Sequence, residues 1–160
     1  MKKASEAIFA DTTACSVGSR PVRKEERPSS DARRRVLVMD DEELVRDVAG
    51  EMLKYLGFEV QCVENGEQAV QEFIRARESG RPYTVVLLDL TIPCGMGGRE
   101  TLARLIELDP SVKAFASSGN AGDPVIEEYG RYGFSGVLTK PYRLEDLSKA
   151  LGEFCQKSTS

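Results

Sequence analysis

A chain of 160 residues with 41% hydrophobic and 30% charged side chains can build one domain with a real core, and is too short for two comfortable ones. It has no histidine, which excludes Ser/His and Cys/His catalytic pairs and any phosphohistidine of its own. The net charge of −4 is uneven: residues 1–35 carry nine Lys/Arg against five Asp/Glu, residues 36–160 carry 13 against 21, and this acidic body argues against nucleic acid as a main partner.

Residues 1–34 are polar, basic and without hydrophobic rhythm, and they read as a disordered tail or linker ahead of a folded unit at 35–157. The cysteines, Cys15, Cys62, Cys94 and Cys155, lack the paired spacing of a zinc site or a disulfide framework. No apolar run reaches the roughly 18 to 20 residues that span a bilayer, and the first residues lack the apolar core of an export signal. The expectation is a cytoplasmic protein with no membrane contact.

From Arg35 the pattern changes. RVLVMD is a short apolar run ending in acid, a strand over about 36–40. EELVRDVAGEMLKYLG then places Leu44, Val45, Val48, Met52 and Leu56 at helical spacing and stops at Gly57. FEVQCV is strand-like, and ENGEQAVQEFIRARESG is a helix with Ala69, Val70, Phe73, Ile74 and Ala76 in rhythm. TVVLLDL is a strand fit for burial on both faces. GRETLARLIELDP is a helix showing Leu102, Leu105 and Ile106 and ending before Pro110. VKAFASS is a strand, and DPVIEEYGRYG a short helix capped by Asp123 with Pro124 in its first turn. SGVLT is a brief strand, and RLEDLSKALGEF closes with Leu144, Leu147, Leu151 and Phe154 on one face.

Five strands alternating with five helices imply an α/β fold, a doubly wound five-stranded parallel sheet of the flavodoxin-like kind. Such sheets bind ligands outside the carboxyl ends of their strands, at the switch point of strand order. Those ends hold Asp40-Asp41, Asp89, Ser117-Ser118-Gly119 and Thr139-Lys140-Pro141. Two unit charges about 4 Å apart interact by about 4 kcal/mol at an effective dielectric near 20, so three converging carboxylates with one lysine leave a deficit of positive charge. A hard, oxygen-seeking ion such as Mg²⁺ matches that deficit, since it takes one or two carboxylates and keeps waters for a phosphoryl group.

The ordered set VLVMDDEE, VVLLDLTIPCGMGG, FASSGN and GVLTKPY resembles the response-regulator receiver domains of two-component signalling, CheY-like, over about 35–157. TIPCGMGG and the SSG after the fourth strand most resemble receivers carried by hybrid sensor histidine kinases. The resemblance implies that Asp89 accepts a phosphoryl group. It also implies that Asp41 and Asp40 bind Mg²⁺ together with Asp89 and the backbone carbonyl of Thr91. Ser118 would hydrogen-bond a phosphoryl oxygen, and Lys140 would pair with the phosphoaspartate, before a cis bond to Pro141. Of the adjacent serines only one can face the pocket, and the family pattern favours Ser118. Val137 stands where many receivers carry an aromatic side chain. Pro93, Gly95, Gly97 and Gly98 shape the loop after Asp89 so that its backbone can approach the phosphoryl group.

The implied partners are a histidine kinase or histidine phosphotransfer protein as donor and a downstream protein effector reached by direct contact. Turnover of small substrates is not expected. A variant of this reading is a phosphorelay intermediate or phosphate sink, and a non-phosphorylated docking module is a further alternative. A haloacid-dehalogenase-type hydrolase would need a second aspartate two residues after Asp89, where Thr91 stands.

Overall fold

The continuous apolar runs become the strands, and the runs with a period near 3.6 become the helices that cover them. The computed structural model describes residues 34–156; the reading of residues 1–34 as a tail lies, apart from Arg34, outside that range. The strands are β1 (Arg35–Met39), β2 (Glu59–Val63), β3 (Val85–Asp89), β4 (Ala114–Ser118) and β5 (Gly136–Thr139). The helices are α1 (Glu43–Tyr55), α2 (Gly66–Glu78), α3 (Gly98–Leu108), α4 (Pro124–Glu127) and α5 (Leu144–Gln156). All strand pairs are parallel, in the order β2-β1-β3-β4-β5. This is the expected doubly wound, flavodoxin-like sheet.

Alternation along the strands divides the core in two. Leu37, Met39, Val86 and Leu88 face α2 and α3, where Phe73, Leu102 and Leu105 meet them. Val36, Val38, Val85 and Leu87 face α1 and α5, where Leu53, Leu147, Leu151 and Phe154 complete the layer. Central β3 is buried on both sides along its whole length, which accounts for its unbroken Val/Leu composition. Edge strand β2 is half-exposed. At the amino-terminal edge Arg35 holds Glu59 at 2.8 Å and stacks 4.4 Å over the Tyr83 ring.

Three details depart from the sequence reading, the first being Leu144, which fits the apolar face of α5 by spacing and is exposed. The helical rhythm of α1 included Leu44 and Val48, yet Leu44 is 74% exposed and Val48 40% exposed. Its buried strip is narrower, with Ala49 and Leu53 in the core and Val45, Met52 and Leu56 packed beside them. An amphipathic helix lying on one sheet face buries a stripe, and this helix has more apolar residues than its stripe can hold. The short helix at 123–133 is divided: α4 has Pro124 at its start and Asp123 accepting from the Val125 N–H at 2.9 Å, as expected. A separate 3₁₀ turn, Tyr129–Tyr132, follows and ends at Gly133 with φ of 96°. Among the described residues no helix is long and apolar enough to cross a membrane.

Where α2 begins, a Cβ on Gly66 would lie 2.1 Å from Thr101 Oγ1 and 2.7 Å from Met96 Cβ. Gly152, inside α5, has nothing within 4 Å of its would-be Cβ. Urea denaturation should therefore show Gly66→Ala destabilised by about 1–3 kcal/mol through overpacking. The same measurement should show Gly152→Ala stabilised by about 0.5–1 kcal/mol, because alanine loses less backbone freedom in a helix.

Candidate functional site

The chain passes from β1 to β2 on one side and later crosses to β3 on the other, so the carboxyl ends of β1 and β3 border the topological switch point. Asp40 is the first residue past β1 and Asp89 the last of β3. Their parity turns both toward the α1/α5 side, after Val36, Val38, Val85 and Leu87. The next strand in the row supplies Ser117 in register with Asp89, and Ser118 in register with Thr139, the residue before Lys140. The Lys140 N–H donates to the Ser118 carbonyl at 3.0 Å, and the Leu90 N–H donates to the Ser117 carbonyl at 2.9 Å.

At the centre is the Lys140 ammonium, 2.7 Å from Asp40 Oδ2 and 3.0 Å from Asp89 Oδ2. Asp40 is fully buried. Its Oδ1 accepts from the Glu42 N–H at 2.9 Å, and its carbonyl accepts from Arg46 at 2.7 Å. Asp40 Oδ2 faces the Lys140 ammonium and is sealed from solvent. The Asp89 Oδ1 accepts from the Thr91 N–H at 3.1 Å. Asp41 is exposed, and Asp40, Asp41 and Asp89 each offer an oxygen within 4.8 Å of one another. A crevice of about 420 Å³ opens above them, bordered by Asp41, Glu42, Asp89, Thr91, Ser118 and Lys140.

The electrostatics follow from burial. Desolvation is the largest influence on Asp89 and raises its carboxyl from 3.8 to about 6; the Thr91 N–H and Lys140 pull it down, and the Asp40 charge pushes it up. Burial alone would lower Lys140, but hydrogen bonding and charge from Asp40 and Asp89 outweigh it, and the ammonium is held well above the usual lysine range.

All six residues marked in the sequence thus border or underlie one crevice: Asp40 below it, Asp41, Asp89, Thr91, Ser118 and Lys140 around it. Of the two serines it is Ser118 that lines the crevice. Its hydroxyl accepts from the Asn120 N–H at 3.0 Å and donates to the Asn120 carbonyl at 3.3 Å. The Lys140–Pro141 bond is cis, as expected. The glycine-rich loop closes tightly: a Cβ on Gly98 would lie 2.8 Å from the Asp89 carbonyl oxygen, so α3 can start directly against the end of β3. The sequence reading missed Glu42, whose carboxylate approaches Lys140 to 4.0 Å, although its place after Asp40-Asp41 was a signal. It also missed Arg46, whose position one turn into α1 pointed toward the strand end, and Tyr142, which followed Lys140-Pro141.

Comparison with known proteins agrees with this architecture. The family described as "Response regulator receiver domain" matches residues 36–152. The response regulator GacA of Pseudomonas protegens is 35% identical over 117 residues, covering 73% of this chain and 53% of that protein. The autoinducer 1 sensor kinase/phosphatase LuxN of Vibrio campbellii is 30% identical over 125 residues, covering 78% of this chain and 14% of that protein. The chain therefore spans about half of one of these relatives and a small part of the other. A CheY-like receiver domain protein of Methanospirillum hungatei has the same fold, with a TM-score of 0.67 at 21% identity, covering 79% of this chain and 97% of that one. The protein belongs to the response regulator receiver domain family.

The raised carboxyl of Asp89 has a consequence for stability. Between 3.8 and about 6 the folded state holds more of the Asp89 proton than the unfolded state does. The contribution of this group to folding therefore falls as pH rises through that window and is level above it. With metal removed by EDTA, the stability of Asp89→Asn relative to the parent should increase from pH 4 to pH 6 and then stay constant. Urea midpoints measured across that range check this, and parallel curves for the two proteins would contradict it.

Proposed function

We propose that the protein is a phosphoacceptor receiver module of a two-component or phosphorelay system, taking a phosphoryl group on Asp89 from a phosphohistidine of a histidine kinase or histidine phosphotransfer protein. The observation that carries this reading is the Lys140 ammonium shared between Asp40 and Asp89 at the floor of an open crevice. The receiver unit is taken as 35–157, with residues 1–34 as its lead-in.

The donor set fits Mg²⁺. Three carboxylates offer oxygens within 4.8 Å of one another against one ammonium, which leaves an excess of negative charge. Crowded carboxylates repel one another, and oxygen donors of this kind suit a hard divalent ion. Asp40, Asp41, Asp89 and the Thr91 carbonyl would hold it. When bound, the ion supplies positive charge that neutralises phosphoryl oxygens.

The chain's own residues do the rest. An ionised Asp89 oxygen forms the new bond to phosphorus as the bond from phosphorus to the donor's histidine nitrogen breaks, and that electron pair stays on the nitrogen. A carboxylate is a weak nucleophile, so positioning carries the reaction. The rigid β3 strand fixes the Asp89 backbone, and the Thr91 N–H holds one carboxylate oxygen at 3.1 Å. Lys140, already 3.0 Å from the other, places a cation beside the incoming charge. Ser118 has a hydroxyl at the rim that can leave Asn120 for a phosphoryl oxygen. Once modified, the domain signals to a downstream protein effector through altered contacts. Similarity to a segment of a sensor kinase/phosphatase also supports the variant in which the phosphoryl group moves on within a relay.

Labelled acetyl phosphate with Mg²⁺ tests the reading, since the protein itself must perform the chemistry. The parent should acquire an alkali-labile label that EDTA prevents, and Asp89→Asn should acquire none. Ser118→Ala should slow uptake by about 10- to 100-fold, the value of one hydrogen bond to a charged group, while unfolding at nearly the same temperature. Mg²⁺ should raise the melting temperature of the parent more than that of Asp89→Asn. Label retained in Asp89→Asn would move the acceptor elsewhere. A folded parent that takes no label from acetyl phosphate or any phosphohistidine donor would leave a docking module.

A further inference from the structure

Ser117 has no part in the reading above, yet it is almost completely buried beside the reacting carboxylate. It stands in register with Asp89 one strand away, on the same side of the sheet as Phe115, Leu87 and Asp89. A hydroxyl there would be expected to turn to the carboxylate. Instead it is hydrogen-bonded to the Tyr142 hydroxyl, which is buried as well. Tyr142 follows Lys140-Pro141, and its ring is part of the core layer under α1 and α5, beside Leu138 and Leu147.

Three connections therefore meet at two consecutive residues of β4. The Ser117 carbonyl accepts from Leu90, the residue after Asp89. The Ser118 carbonyl accepts from Lys140 itself. The Ser117 side chain closes the circuit to Tyr142, two residues beyond Lys140. The ion cluster is close by: the charges of Asp40, Lys140 and Asp89 all act on the Tyr142 hydroxyl, which burial raises to about 12. The backbone of the lysine is thus held on one side by a strand bond and on the other by a buried hydroxyl pair, while its ammonium spans two carboxylates.

We propose that the Ser117–Tyr142 hydroxyl pair is a positioning link that fixes the Lys140 segment to the end of β4 and so holds the ammonium between Asp40 and Asp89. Ser117 and Tyr142 are positioning residues, since neither lines the crevice. The consequence of the link for phosphoryl uptake rests on the reading given under Proposed function; its hold on Lys140 does not. A hydroxyl-for-hydrogen change removes the link and keeps the packing, because the Tyr142 ring remains in Tyr142→Phe.

The test reads the lysine directly. In metal-free protein, ¹⁵N NMR of the Lys140 ammonium gives its proton-exchange rate. Tyr142→Phe and Ser117→Ala should each speed that exchange by about two- to tenfold, the range of one net hydrogen bond. The double variant should be no faster than the singles, since both remove the same bond. Tyr83→Phe, which removes a hydrogen bond to Glu72 at the opposite edge of the sheet, controls for general loosening and should leave Lys140 unchanged. Exchange that is unaltered in both singles, additive in the double, or equally fast in Tyr83→Phe overturns the link. Label uptake from acetyl phosphate with Mg²⁺ is then compared in the same proteins. A parent without uptake whose variants still free Lys140 sinks the phosphoacceptor reading and keeps the link. A parent with uptake whose variants leave both Lys140 and uptake unchanged does the reverse.

Discussion

The structure depends on one ammonium placed between two buried carboxylates. Lys140 lies 2.7 Å from Asp40 and 3.0 Å from Asp89, and both aspartates are almost fully withdrawn from water. Each charge removed from solvent costs several kcal/mol after relaxation, so none of the three would be stable there alone. The trio nevertheless keeps an excess negative charge, and exposed Asp41 at the crevice rim adds to it. That excess is local and directional, facing the one side open to solvent. A pocket so constituted favours a cation, and behind a cation, an anion.

The sheet exists to make that arrangement cheap to maintain. Parallel strands end together, and their ends are the one place where residues from distant segments meet without crossing the core. Asp40, Asp89, Ser118 and Lys140 are separated by up to a hundred positions, yet each stands within a residue of a strand end. The β3 strand, buried throughout, cannot shift along its axis without moving every Val and Leu out of register with both layers. Asp89 is therefore carried by a strand packed on both faces, while Asp40 and Lys140 reach it from the first positions past β1 and β5.

Much of this was legible from residues alone because the two signals involved are periodic. Strand and helix rhythms located ten elements, and the polar residues closing four of the five strands marked the candidate site. What the rhythm could not settle was which neighbours are buried. Asp40 and Asp41 are equivalent as letters, but consecutive residues past a strand point in different directions, and one is fully buried while the other is exposed. Leu44 and Val48 fit the helical repeat of α1 and still face solvent, because the width of the buried stripe is set by the sheet beneath it. The break between α4 and the 3₁₀ turn had a cue in Gly130 and Gly133, but the apolar repeat there was too short to indicate it. Tyr142 went unremarked in the sequence, and its ring is part of the core. Its hydroxyl finds Ser117 only through a pairing 25 positions apart, which no local pattern contains.

The adjacent serines show how strand alternation can separate two tasks. Ser117 turns to the α1/α5 layer and is tied to Tyr142; Ser118 turns to the crevice and is tied to Asn120. The Asn120 bonds of Ser118 are made to a loop backbone at the rim, so they can exchange for another acceptor at little cost in packing. The Ser117 bond lies in the core, where breaking it leaves a polar group without water to replace the partner. A phosphoryl group on Asp89 would then find one hydroxyl free to turn toward it and the other fixed. Because both belong to one short stretch of β4, a shift of Ser118 pulls on the carbonyl that receives the Lys140 N–H. The strand end that lines the crevice is thus joined to β5 by a backbone bond, next to the lysine that spans the two carboxylates.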